Sequence, residues 1–165
     1  MSNTMFVKIN DIEGDATEKS HEKWITVSSI SWGIERPTLE EGGSSQQGFG
    51  KAVFGVVELE SQLGSAAAQL MLSVASGTIR KEIVIHQCRS GDDPKKGLEP
   101  YLIWTLKESL IQSYYVYGAE ESIPTERWGL MYNGINVEYK ATDIKTGKLT
   151  KYKEFTWNLA SGEMG

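Results

Sequence analysis

The sequence predicts a mainly β fold: a closed β-barrel, or a two-sheet β-sandwich, with one short α-helix packed outside it. Runs rich in valine, isoleucine, threonine and aromatic residues recur along the chain, and clusters of glycine, proline, aspartate and serine separate them. A single segment has the spacing of an amphipathic helix. Two long runs shift the parity of their apolar positions midway, which is typical of bent strands that close a barrel.

The predicted strands are joined by polar connections. They cover seven runs: Met5–Asn10, Trp24–Ile34, Lys51–Glu60, Lys81–Cys88, Tyr101–Tyr117, Arg127–Lys140 and Thr150–Leu159. The last run alternates cleanly, with Phe155, Trp157 and Leu159 on one face, as expected of a half-buried strand. The residues 144–148 that precede it are predicted to form a hairpin turn.

The predicted helix spans about residues 65–76. Four apolar residues recur at positions i, i+3, i+4 and i+7: Ala67, Leu70, Met71 and Val74. We expect the hydroxyl of Ser65 to cap the start of the helix, and Gly77 to end it in a left-handed conformation. The apolar face is expected to pack on the core.

Two runs change which positions are apolar. In Trp24–Ile34 the apolar positions are odd up to Val27 and even from Ile30 onward. In Arg127–Lys140 a similar change occurs across Asn133–Gly134. We expect a β-bulge at each point, because one extra residue restores a single apolar face.

The run Tyr101–Tyr117 is apolar on both faces. One face carries Leu102, Trp104, Leu106 and Leu110, and the other carries Tyr101, Ile103, Ile111, Tyr115 and Tyr117. A small barrel has one interior, so the second face requires another burial partner, either the helix or a neighbouring subunit. We favour the subunit and predict that this second set forms a subunit interface.

Length and charge narrow the function classes. The 165 residues are expected to form one domain, residues 1–165. The formal net charge of −5 argues against nucleic acid as a partner, since phosphate binding requires clustered lysine and arginine. No run approaches the roughly 18 apolar residues of a membrane span, so membrane insertion is not expected. No secretory signal is visible, and the chain is expected to be cytoplasmic or to leave the cytoplasm without a cleaved signal.

The residues that usually carry chemistry form no recognisable motif. Cys88 is the one cysteine, which excludes an internal disulfide and a cysteine-based zinc cage. We expect His86 and Cys88 to be ordinary half-buried residues of a strand, and His21 to be a solvated surface residue. The glycine-rich run 43–51 lacks the register of a phosphate-binding loop. We therefore expect no catalytic residue, no cofactor and no metal, in a protein that is not an enzyme.

Short motifs occur in a characteristic order over about residues 5–159. They are Met5–Ile9, Asp11–Asp15, Ser31-Trp32-Gly33, Gly50-Lys51-Ala52, Leu106–Tyr114 and the closing Lys151–Leu159. The most specific of them is Ser31-Trp32-Gly33. Together they resemble the Hcp family, the haemolysin-coregulated proteins that form the inner tube of bacterial type VI secretion systems.

The resemblance implies a β-barrel subunit that assembles into hexameric rings. Stacked rings would form a tube that a contractile sheath surrounds and a VgrG-type spike protein tips, and the tube would be secreted with effector proteins in its lumen. Ser29 and Ser31 are expected to face that lumen. The run 37–50 is expected to reach the neighbouring ring and to carry the stacking residues Glu40, Glu41, Gln46, Gln47 and Phe49.

A monomeric ligand-binding β-barrel, lipocalin-like or carbohydrate-binding, is the alternative function. It would carry an apolar or aromatic-lined pocket. Size-exclusion chromatography with light scattering separates a stable hexamer from a monomer.

Overall fold

The computed structural model describes residues 4–39, 48–49, 51–91 and 95–162, and within them the mainly β fold with one short helix is confirmed. In chain order the elements are β1 Met5–Lys8, β2 Ile25–Thr26, β3 Ser29–Ser31, β4 Ile34–Glu35, β5 Thr38–Leu39, β6 Gly48–Phe49, β7 Val53–Phe54, β8 Val57–Gln62, α1 Ala67–Ser76, β9 Ile79–Ser90, β10 Leu98–Tyr117, β11 Thr125–Met131, β12 Gly134–Thr142 and β13 Leu149–Asn158.

The main sheet closes on itself through one short segment. Its strand order is β2-β1-β9-β10-β11-β8-β3, so its two ends, β2 and β3, are consecutive in the chain. The N–H of Val27 donates to the carbonyl of Met5 in β1 at 3.1 Å, and the N–H of Ser28 donates to the carbonyl of Glu60 in β8 at 2.7 Å. The chain thus passes from one sheet edge to the other within two residues and joins them into a barrel.

This transfer explains the change of parity predicted as a bulge at residues 28–29. Val27 is buried and Ser28 is exposed. The apolar face changes here because the partner strand changes from β1 to β8, and each new partner sets its own inward positions. The predicted run Trp24–Ile34 is therefore divided between three short strands.

The strand β10 is the longest and pairs with two strands that follow each other in the chain. β11 pairs with its second half, with Tyr117 opposite Thr125, and β12 pairs with its first half, with Leu102 opposite Tyr139. The break between them, at residues 132–133, adjoins Asn133–Gly134, where the sequence predicts a bulge. β13 then pairs with β12 on its other edge.

Between β3 and β8, the described residues on either side of residues 40–47 pair with each other as the stem of a β-hairpin. Ile34 pairs with Phe54 through β4 and β7, and Thr38 pairs with Phe49 through β5 and β6. We call this hairpin, residues 34–54, the arm. Its stem consists of short antiparallel ladders where the sequence predicts a loop at residues 37–50.

The helix ends as predicted but begins differently. Gly77 adopts a left-handed conformation, φ 63°, and its N–H bonds to carbonyls of the last turn. The predicted cap by Ser65 is wrong, because Ala66 is the N-cap residue and no side chain caps it. The N–H of Ser65 instead donates to the carboxylate of Asp15 at 2.8 Å. The helix places Leu70, which is fully buried, in the main core.

Two cores lie on opposite faces of β1 and β9. The main core fills the barrel, and its fully buried members include Leu59, Trp128 and Leu130. The second core is smaller and lies outside the barrel: Phe6, Ala16 and Cys88, with Trp24 and Leu98 packed against them. The segment between β1 and β2, residues 9–24, supplies part of this second core, and we call it the β1–β2 loop.

Candidate assembly surface

Four neighbouring strands present one continuous outward face. Register places Ser29 of β3 opposite Glu60 of β8, Glu60 opposite Arg127 of β11, and Arg127 opposite Tyr115 of β10. Side chains two residues apart on a strand share a face. The outer sheet face therefore consists of Ser29, Ser31, Glu58, Glu60, Arg127, Tyr115 and Tyr117.

Charged groups form the centre of the outer sheet face. The guanidinium of Arg127 donates to Oε1 of Glu60 through Nη2 at 2.5 Å and through Nε at 3.1 Å. The hydroxyl of Ser29 donates to Oε2 of the same carboxylate at 3.3 Å. The Arg127 guanidinium holds the pKa of Glu60 below its usual value. The pair is exposed, so it orders the surface more than it stabilises the fold.

Aromatic groups form one end of the outer sheet face. Tyr115 is 68% exposed and Tyr117 is 72% exposed, and Ile123 in the following turn is 60% exposed. Large apolar groups that cluster in solvent mark a surface for protein contact. Tyr115 and Tyr117 are two of the five residues predicted as a subunit interface.

The other three predicted interface residues lie elsewhere. Ile111 is 1% exposed and belongs to the main core, so its assignment to an interface is wrong. Simple alternation fails because Glu108 adopts a positive φ of 44° and the register shifts between Ile111 and Ser113. Each irregularity reverses which residues point inward, and Ile111 lies between the two.

Tyr101 and Ile103 are half-buried within their own chain. Ile103 lies opposite His86 of β9, on the face that carries the second core. Tyr101 lies at the register shift between Pro100 and Leu102. At Ile103 the second apolar face of β10 is therefore next to the second core of the same chain, rather than next to the helix or a neighbouring subunit.

The predicted lumen residues share a face with the predicted interface residues. Ser31 is exposed and Ser29 is half-buried, and both lie at the β3 end of the outer sheet face. Of the predicted stacking residues, Glu40, Glu41, Gln46 and Gln47 lie outside the described residues. Phe49 belongs to β6, in the stem of the arm.

A buried polar network lies beneath the aromatic end. Glu126 is 2% exposed, and its carboxylate accepts hydrogen bonds from the Tyr114 hydroxyl at 2.7 Å and from the Ser61 hydroxyl at 3.0 Å. The indole N–H of Trp128 donates to the Ser61 oxygen at 3.3 Å. Burial, together with the adjacent Glu126, raises the pKa of Tyr114. The signal in the sequence was parity, because Glu126 lies on the same strand face as the apolar Trp128 and Leu130.

A second polar cluster occupies the second core, and it corrects one expectation. His21 is 1% exposed rather than solvated, because the β1–β2 loop turns it inward against Phe6, whose ring stacks on it at 4.5 Å. His86 and Cys88 of β9 lie beside it. Burial, with His21, Lys140 and Lys8 nearby, lowers the pKa of His86 to about 4, and burial with the Glu18 charge raises that of Cys88 to about 12.

Within the described residues, the structure contains no helix long and apolar enough to cross a membrane.

The family model described as "Type VI secretion system effector, Hcp" matches residues 6–139. No curated protein sequence matches the chain.

Solved structures share the fold at low sequence identity. A type six secretion system protein is 23% identical with a TM-score of 0.85, and the match covers 98% of this chain and 99% of that one. A type VI secretion system effector from Yersinia pestis is 18% identical, with a TM-score of 0.71 and coverage of 93% and 98%. Hcp1 from Salmonella typhimurium is 16% identical, with a TM-score of 0.69 and 96% of each chain covered.

Proposed function

This chain belongs to the Hcp family and is a tube subunit of a type VI secretion system, and we propose that it assembles into hexameric rings that stack head to tail as the expelled inner tube. The observation that carries the proposal is the outer sheet face, which exposes two tyrosines beside an ordered charged pair. The chain acts in this role as a single domain, residues 1–165. The role is structural, and the proposal includes no catalytic step.

A ring of identical subunits needs two different complementary surfaces on each subunit. Exposed apolar side chains on separate parts of this molecule meet that need. Tyr115 and Tyr117 lie at the end of β10, whereas Tyr139 and Tyr152 lie on the β12–β13 ribbon, where their rings are 6.2 Å apart. We assign the tyrosines of β10 to one side of the subunit contact.

The outer sheet face then runs from the neighbouring subunit to the lumen. Its aromatic end contacts the neighbour, and its small polar end, with Ser29 and Ser31, faces the lumen. The charged pair of Glu60 and Arg127 lies between these two ends and fixes the side chains at the centre of the outer sheet face. A small polar lining suits a channel that remains wet while proteins pass.

The first experiment compares two aspartates placed on this one face. Tyr115→Asp puts a charge into the proposed contact and is expected to convert hexamers to monomers, because an unpaired charge in a subunit contact is strongly unfavourable. Ser31→Asp puts the same charge three strands away, in the proposed lumen, and is expected to leave the hexamer intact. Light scattering after size-exclusion chromatography measures both masses.

Each outcome decides a separate point. A monomeric wild-type chain at micromolar concentration contradicts the ring and favours the ligand-binding barrel. A hexameric Tyr115→Asp variant contradicts the assignment of β10, and a monomeric Ser31→Asp variant contradicts the lumen assignment of β3. Circular dichroism of each variant verifies that the β fold is retained.

The arm supplies the contact between rings. Its stem is an antiparallel ladder, and its proposed stacking residues are Glu40, Glu41, Gln46, Gln47 and Phe49. Replacing residues 40–47 by Asn-Gly closes the stem with a two-residue hairpin turn, which suits strands paired as Leu39 and Gly48 are.

This shortened arm is expected to preserve the hexamer and abolish tube formation. Electron microscopy of concentrated protein counts tubes, and light scattering measures rings. A control variant that replaces residues 40–47 by a glycine-serine segment of equal length separates loss of length from loss of side chains. Unchanged tubes in the Asn-Gly variant would overturn the stacking role.

The partners proposed for the tube follow from family membership. They are a contractile sheath around it, a VgrG-type spike protein at its tip and effector proteins in its lumen. Within this scheme the subunit is made in the bacterial cytoplasm and is secreted by the type VI system.

The filled interior favours the tube subunit over the alternative function. Trp128, Leu59 and Leu130 occupy the barrel core and are fully buried. A lipocalin-like barrel keeps an interior pocket for its ligand, whereas these side chains fill the same space.

A further inference from the structure

The chain has two histidines and one cysteine, and the fold brings all three together. The ring nitrogens of His21 and His86 and the sulphur of Cys88 lie within 4.8 Å of one another. His21 comes from the β1–β2 loop, and the other two come from β9. Imidazole and thiolate are the ligands that zinc prefers in proteins. We propose that His21, His86 and Cys88 bind a divalent metal ion of the zinc class.

Two of the three distances between ligand atoms are close to those around a shared metal ion, and all three lie within 4.8 Å. Nε2 of His21 is 2.9 Å from Nδ1 of His86 and 3.7 Å from Sγ of Cys88. With usual zinc bond lengths and tetrahedral angles, two nitrogens lie about 3.3 Å apart, and a nitrogen and a sulphur about 3.6 Å apart. The imidazoles therefore need to separate by a few tenths of an ångström, which side-chain rotation can supply.

Glu18 prepares His21 for this role. Its carboxylate accepts a hydrogen bond from Nδ1 of His21, so the lone pair of Nε2 is left to face His86 and Cys88. A carboxylate on the far nitrogen of a ligating histidine is the usual support of zinc sites. Glu18 is itself fixed, because it also accepts from the backbone N–H of Leu98 at 2.8 Å and of Ser20 at 3.1 Å.

The hydrogen bonds to Glu18 also determine its charge. Glu18 accepts hydrogen bonds from the N–H groups of Leu98, His21 and Ser20, and such bonds favour the carboxylate form. The Cys88 thiol would lose its proton to solvent when its sulphur bonds the metal. One divalent ion, one thiolate and one carboxylate sum to zero, which avoids an unpaired buried charge.

Two lysines, Lys8 and Lys140, lie at the edge of the site. Lys8 and Lys140 both act on His86, and the ammonium of Lys8 lies 5.8 Å from the ring centre of Trp24. Their positive charges repel a cation, so the bonds from the three ligands to the metal must outweigh this repulsion. The walls are apolar, since Phe6 stacks on His21 and the ring of Trp24 lies 4.7 Å from that of His86.

The metal would join two segments that are distant in sequence. His21 and Cys88 are 67 residues apart, and they belong to the β1–β2 loop and to β9. Closing so long a loop on the folded chain stabilises it, because the ion binds the folded arrangement and not the unfolded one. The role assigned to the site is therefore to fix the β1–β2 loop on the outside of the barrel, and it does not depend on the tube function.

The test uses cobalt as a spectroscopic probe of the full chain. Co²⁺ bound to a thiolate gives a charge-transfer absorption in the near ultraviolet, and in this sequence that thiolate can only be Cys88. The wild-type chain is expected to show the band at one equivalent of Co²⁺ and to lose it when Zn²⁺ is added. Glu18→Gln is expected to weaken Co²⁺ binding about 10- to 100-fold.

Thermal unfolding gives a second readout. Zn²⁺ at 100 times its Kd is expected to raise Tm by roughly 5–10 °C in the wild-type chain and not in Cys88→Ser, a variant of nearly the same shape. If Cys88→Ser does not fold, His86→Gln replaces it. A wild-type chain without the cobalt band overturns the proposal, as does an equal rise of Tm in wild type and variant, which would mean that zinc binds elsewhere.

Discussion

The main core and the second core use opposite faces of the same two strands. On β1, Val7 points into the barrel and its neighbour Phe6 points into the second core; on β9, Ile85 and His86 divide in the same way. The main core buries mostly aliphatic and aromatic groups. The second core combines a few apolar groups with His21, Cys88 and other polar side chains, and a loop rather than a strand covers it.

This difference separates two ways of burying surface. In a closed barrel every second side chain of a strand points into the interior and is buried there. Alternation along the strand therefore specifies the main core. The second core exists only where the β1–β2 loop lies against the sheet. We therefore expect the main core to determine the stability of the fold, and the second core to determine the position of one loop.

The largest effect is expected in the main core. Leu59→Ala removes a fully buried side chain from the centre of the barrel and should lower the free energy of unfolding by about 4 kcal/mol. Urea unfolding at a fixed protein concentration measures the loss. Ile144→Ala is the control, since that side chain is 99% exposed and should change stability by less than about 0.5 kcal/mol.

A smaller effect is expected in the second core. Phe6→Leu removes the ring that stacks on His21 but keeps an apolar side chain, and should cost about 1–2 kcal/mol. The same urea titration measures it, with Val7→Ala as the control on the main-core face of β1. If Phe6→Leu costs as much as Leu59→Ala, the distinction between the two cores is wrong, because the second core would then be an integral part of the barrel.

Features that appear as regular local patterns could be predicted from the sequence, and features set by distant contacts could not. The parity changes at residues 28–29 and at Asn133–Gly134 were visible because each interrupts a regular alternation. The first marks the transfer of the chain from β1 to β8, and the second adjoins the break between β11 and β12, which both pair with β10. Ile111 was assigned to the wrong face, because nothing in the sequence around Glu108 announces a residue with positive φ. The helix was visible from its spacing, whereas its predicted cap is absent, and the N–H of Ser65 instead donates to the carboxylate of Asp15, 50 residues away.

The two candidate sites also differ in how far they could be predicted from the sequence. Tyr115 and Tyr117 are exposed, since the end of a long strand that is apolar on both faces meets solvent or a partner, and their role in a subunit interface stays a prediction. The histidine cluster could not be predicted, because His21 is 65 residues from His86 and 67 residues from Cys88, and the three match no spacing that metal sites use.

The sequence by itself determined the class of fold, the position of the helix, the inward residues of the regular strands and, through its collinear motifs, the family. The tertiary structure alone decided how the sheet closes, where the β1–β2 loop lies and which polar groups meet inside the protein. The physical reason is range. Alternation and helical spacing act between residues a few positions apart, whereas barrel closure and the gathering of His21, His86 and Cys88 depend on contacts that form only in the folded chain.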